Sequence, residues 1–159
     1  MADLAPRIDA RRAGVAYADD YAAWVEHQAR LLRERRTAEL DFENLIDEVE
    51  SLSVTVYREL VSALRLVLVH MLKWDFQPTH RTRSWQTSIR NNRAEVSDLL
   101  NENPSLRSKL DKVWTKAYFS ARGEASGETD LPLRTFPETC PYDWAAITMR
   151  EHPLPGDDG

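Results

Sequence analysis

From Asp41 to Phe76 the chain runs without a glycine or a proline. Apolar residues recur through this stretch at Leu45, Ile46, Val49, Leu52, Val56, Leu60, Leu64, Val67, Leu68, Met71 and Trp74. Steps of three and four are the period of one helix face, so the stretch predicts one long helix. The alternative is two consecutive helices broken around Ser51 to Thr55, where hydroxyl and β-branched side chains weaken helix propensity. Acids crowd the first turns, where the positive end of the helix dipole stabilises them. The second half is apolar nearly all round, which marks it as the buried central element.

The remaining segments punctuate in the same way. Asp19 or Asp20 offers an N-cap for a first helix carrying Tyr21, Trp24, Val25, Gln28, Leu31 and Leu32, expected to end near Arg35 or Arg36. Pro78 disfavours helix at Gln77 and so stops the long helix. Ser84 can cap a third helix with Trp85, Ile89, Val96, Leu99 and Leu100. Asn103-Pro104 announces a fourth, expected to end at Gly123 to Gly127, and Pro141 is read as opening a short last helix with Trp144 and Ile147. No strand pattern and no repeat is present. The fold class that follows is all-α: a single-domain helical bundle of about five or six helices around a long central one.

Composition sets the outer limits. The chain has 159 residues, and 42% hydrophobic with 30% charged residues is an ordinary balance for one globular domain. Residues 1–16 read as a flexible arm, 17–150 as the domain and 151–159 as a solvated tail. A single cysteine, Cys140, rules out an internal disulfide framework. The start has no apolar core of a secretory signal, and no apolar run is long enough to span a bilayer, so a cytoplasmic location is expected.

The net charge of −5 disfavours nucleic acid as the main partner. Its distribution says more. Between Thr37 and Glu59 seven acids face one base, whereas between Lys73 and Arg93 five bases face one acid, Asp75. Glu43, Asp47 and Glu50 fall at i, i+4 and i+7, on one helix face, with Asn44 and Glu48 in a neighbouring row. Such a row can hold a hard cation or supply acid–base groups, and more often it is a solvated face or pairs with arginines. In the basic stretch His70, Lys73, Trp74 and Gln77 share a face, followed by Arg81, Arg83, Trp85 and Arg90. Guanidinium and indole groups in such company bind phosphate, or they lock a loop into a bundle by stacking and ion pairing. Pairing of these bases with Asp41, Glu43, Asp47 or Glu48 is the favoured expectation. Cys140 beside a helix N-cap, with His70 or His80 as base, would be a nucleophile; a packed thiol is the plainer reading. No phosphate loop, dinucleotide glycine pattern, serine elbow or paired-cysteine zinc knuckle occurs.

Several of these residues also fall in a familiar order. It runs from Tyr21 and Trp24, through Asp41-Phe42-Glu43-Asn44-Leu45-Ile46-Asp47-Glu48-Val49-Glu50, to His70-Met71-Leu72-Lys73-Trp74 and Gln77-Pro78. Arg83-Ser84-Trp85, Ile89-Arg90, Pro104-Ser105-Leu106, Leu131-Pro132, Phe136-Pro137 and Cys140-Pro141-Tyr142 follow. In this the chain resembles the bacterial domain-of-unknown-function family numbered 29, over about Tyr17 to Ile147. The resemblance implies a small helical protein and carries no activity with it. The expectation is therefore a non-enzymatic interaction or regulatory protein, without metal or other cofactor, whose partner is another protein or a second copy. The alternative is a phosphate or nucleic-acid binder, with metal-assisted hydrolysis through the acidic face.

Overall fold

The structure is a computed structural model that describes residues 15–157. It is all-α: five α-helices joined by short 3₁₀ turns, with no strand among the described residues. The helices are α1 (Tyr21–Arg33), α2 (Phe42–Phe76), α3 (Arg83–Glu102), α4 (Leu110–Thr129) and α5 (Trp144–Met149). The chain divides into two compact units, one up to Leu52 and one from Ser53 onward. The arm expected over residues 1–16 lies, as far as residue 14, outside the described residues.

α2 is one unbroken helix of 35 residues, so Ser51 to Thr55 does not interrupt it. It stops at Phe76, before Gln77-Pro78, where the first 3₁₀ turn beyond it begins. Asp20 caps α1 through its carboxylate on the Ala23 N–H. Thr82, ahead of the expected Ser84, caps α3 through its hydroxyl on the Trp85 N–H. Asn103-Pro104 opens a 3₁₀ turn, Pro104–Lys109, before α4 takes over at Leu110.

Two boundaries fall elsewhere than expected. α4 runs through Gly123 and Gly127 and ends only at Asp130, whose left-handed φ of 57° turns the chain away. An isolated glycine weakens a helix by about 1 kcal/mol and does not end it when its neighbours pack. α5 begins at Trp144 rather than Pro141, because Asp143 supplies the cap, accepting from the Ala146 N–H at 2.7 Å.

In the first unit the buried residues are Trp24, Gln28 and Leu31, all from α1. The core of the second unit collects Leu60, Leu64, Val67, Leu68, Met71 and Leu72 from α2 with Ile89, Val96 and Leu100 from α3. α4 adds Val113, Ala117 and Ala121, and the C-terminal segments add Phe136, Tyr142 and Ile147. Small residues on α4 at steps of four give its neighbours room for close approach.

Candidate functional site

The acidic half of α2 lies in the first unit, and its carboxylates fall into two groups. Asp41 and Glu48 are spent locally. The Trp24 indole N–H and the Asn44 amide donate to Asp41 at 3.1 and 2.7 Å, and these bonds, the one from Asn44 foremost, hold its carboxyl below the ordinary range. Glu48 accepts from the hydroxyls of Tyr17 and Tyr21 at 2.6 and 2.9 Å, which pushes both phenols up. Those two rings and Trp24 form an edge-to-face and stacked cluster with centroids 4.9 to 6.1 Å apart.

Glu43, Asp47 and Glu50 are different. All three are exposed, and none makes a hydrogen bond or ion pair with a described residue. They run alongside an apolar stripe that is also in solvent: Phe42 is 55% exposed, Ile46 54%, Val49 65% and Leu52 65%. Each acid follows its apolar neighbour by one residue, so at 100° per residue the acids form a rail along one edge of the stripe. Among the described residues no three His, Cys, Asp or Glu side chains come together as a metal site requires.

The basic stretch lies in the second unit, where its members are tied down one by one. Lys73 is buried, pairs with Glu128 at 2.5 Å and lies 4.6 Å from the centre of the Trp85 ring. Arg81 donates to the Trp74 carbonyl at 2.9 Å and stacks over the Trp74 ring. Arg83 pairs with Asp157 at 2.9 Å, and Gln77 donates to the Thr129 carbonyl at 3.1 Å. His70 Nδ1 lies 2.8 Å from the Leu66 carbonyl and 3.2 Å from the Ser88 hydroxyl. Only Arg90, of the five bases from Lys73 to Arg93, has no hydrogen bond or ion pair among the described residues; it is exposed at a small cavity beside Gln86 and His152. The counter-charges expected for these bases were acids of residues 41–50; those found for Lys73 and Arg83 are Glu128 and Asp157.

The centre of this second cluster is a residue not singled out from the sequence, Asp75. Arg150 grips its carboxylate with a two-pronged fork at 2.8 and 2.6 Å, and the Tyr142 hydroxyl adds a third bond at 2.8 Å. Burial pushes the Asp75 carboxyl up, but Arg150 and Tyr142 outweigh it and hold it below its usual range. Next to it Arg93 spends its guanidinium on the carbonyls of Ala146, Ile147 and Arg150, satisfying the C-terminal end of α5. His152, expected in a solvated tail, is buried with its ring edge-on to Trp74 at 5.3 Å. Burial, helped by the charges of Arg93 and Arg150, pushes its imidazole down to about 4, so it is neutral at physiological pH. The arrangement is a fastening: it fixes the segment 142–157 onto the end of α2 and the start of α3.

Cys140, read from the sequence as a packed thiol or a nucleophile, is half-buried. Three residues upstream of the Asp143 cap, it gains nothing from α5, and burial pushes its thiol up rather than down. The one legible signal for the missed centre was Asp75 itself, the single acid among five bases. Its partners lie 67 and 75 positions away in the chain, beyond any local pattern.

No described helix is long and apolar enough to cross a membrane. Comparison with curated proteins and with solved structures returned no match. The family model of the Domain of unknown function DUF29 matches residues 16–152. That span holds the α2 rail, the Asp75 fastening and nearly all of the helical chain, and the protein therefore belongs to that family.

Proposed function

We propose that the protein is a non-enzymatic interaction module that docks a basic amphipathic helix of another protein on the first half of α2. The observation that supports this reading is the stripe of Phe42, Ile46, Val49 and Leu52, four large apolar side chains each more than half exposed, beside the carboxylates of Glu43, Asp47 and Glu50, which no described residue pairs with. An apolar helix face left in water invites a partner helix with apolar anchors at matching steps. The acidic rail selects which partner: lysines or arginines beside those anchors are attracted, and acidic helices are repelled. A second copy of this chain fits less well, because pairing the same face with itself sets two acidic rails together.

The test is a titration with a helical peptide carrying leucines at the a and d positions and lysines beside them, against an otherwise identical peptide with glutamates. The lysine peptide is expected to bind, more weakly as salt rises. Ile46→Ser together with Val49→Ser is expected to weaken binding by about a hundredfold, at roughly 1.5 kcal/mol for each apolar side chain removed from the docking face. Equal binding of both peptides, or binding unchanged in the double variant, would refute the reading.

A further inference from the structure

An apolar-walled cavity of the second unit lies between one face of α4 and the segment 138–140, with a volume of about 540 Å³. That size suits a small organic molecule. Its α4 wall is formed by Asp111, Trp114, Tyr118, Phe119 and Arg122, which recur at helical steps, and Glu138 and Cys140 stand opposite. Phe119 is 82% exposed, an unusual position for a phenylalanine that has no partner to cover it.

What the walls offer a guest follows from what they have already spent. The Tyr118 hydroxyl donates to the Pro137 carbonyl at 2.6 Å. Arg122 donates to the carbonyls of Phe136 and Leu133 at 2.9 and 3.2 Å. The Thr115 hydroxyl is turned to the Asp111 carbonyl of its own helix. With its hydroxyl committed, Tyr118 presents ring surface to the cavity, beside Trp114 and Phe119. The unspent polar groups are the Thr139 hydroxyl and two carboxylates, Asp111 and Glu138, all exposed and none in a hydrogen bond or ion pair with a described residue; the two carboxylates outnumber the one positive charge on the wall, Arg122. Ring faces carry a negative quadrupole, and carboxylates at the rim of an apolar cavity reinforce it.

We propose that this cavity binds a small organic cation, an ammonium group carried on an apolar body of about a dozen heavy atoms. The apolar part displaces water from the α4 wall while the cation meets the aromatic rings and the two carboxylates. A free molecule of this size fits the volume as a whole, so the proposal is for a soluble ligand. The site belongs to residues 53–157 and does not depend on docking at α2.

Benzyltrimethylammonium chloride is the probe, titrated into the ¹⁵N-labelled full-length protein, with benzyl alcohol and sodium benzoate as neutral and anionic comparators. Saturable shifts centred on residues 111–122 and 138–140 are expected for the cation, with clearly weaker binding of the alcohol and none of benzoate. Phe119→Leu, which keeps apolar area and removes a ring, is expected to weaken the cation by about threefold to thirtyfold. The pair Asp111→Asn and Glu138→Gln is expected to reduce the preference over benzyl alcohol and to remove the salt dependence. Each of these positions is exposed, so the melting temperature should hold, and a melt of each variant checks it. Absence of saturable binding, shifts centred elsewhere, or equal affinity for the cation and the alcohol would each overturn the proposal.

Discussion

Asp75 is the residue on which the second unit's polar chemistry turns. Removing its carboxylate leaves the Arg150 guanidinium and the Tyr142 hydroxyl half-buried without their acceptor. Asp75→Ala is therefore expected to lower stability by about 2–4 kcal/mol in a denaturant melt. Arg150→Ala should cost a similar amount, and the double variant less than the sum, because both remove the same bonds. The pH dependence has a definite sign. Asp75 has a depressed carboxyl in the fold, so its contribution is complete above the unfolded value near 4 and is lost as pH falls through the folded one. His152 acts earlier: the unfolded chain takes up its proton near 6.5, whereas the folded one resists until about 4. Stability should thus fall as pH drops from about 6.5 to 4, and His152→Leu should flatten that slope in melts at stepped pH. At this scale the sequence was legible only in part. Lys73 meets Trp85 and Arg81 meets Trp74, since a helix end and the next helix start keep them together, while Arg83 turns to Gln86 and Asp157. Their anionic partners come from α4 and the C-terminal segment, and no spacing rule reaches that far.

The elements were the most legible level, because caps, breakers and apolar period act over a few residues. α2 was readable from its lack of glycine and proline, and its continuity through Ser51 to Thr55 shows that weak propensity inside a long helix is outvoted by the turns on either side. α4 taught the opposite lesson, since Gly123 and Gly127 looked like an ending and are interior. Nothing lies within 4 Å of a β-carbon placed at either glycine, and both are helical. Gly123→Ala with Gly127→Ala should therefore stabilise the protein by about 1–2 kcal/mol, raising its melting temperature by a few degrees. The true end at Asp130 carries a left-handed φ of 57° that a residue with a β-carbon adopts at a cost. Asp130→Gly is expected to gain some tenths of a kcal/mol to about 1, read in the same melts. A loss of stability in the double alanine variant would mean that the glycines serve a close approach that the fold does not show.

For the whole molecule, the sequence's separated charges raised a question of partnership. In the basic segment Lys73 and Arg83 pair with acids of their own unit and Arg81 and Arg93 with its carbonyls, whereas the acidic segment keeps three carboxylates that no described residue pairs with, beside four exposed apolar side chains. Charge segregation alone could not distinguish these fates, because an ion pair is decided by tertiary packing and not by composition. On α2 the unspent groups form an amphipathic face, and the proposal is that a partner helix docks there. A charge exchange tests that claim most directly. Calorimetry would measure the lysine and glutamate peptides against wild type and against Glu43→Lys, Asp47→Lys and Glu50→Lys combined, all exposed positions that should leave the fold intact. The account predicts that the preference inverts, with wild type taking the lysine peptide and the triple variant the glutamate one. A preference unchanged by the reversal, or no binding of either peptide to either protein, would contradict it.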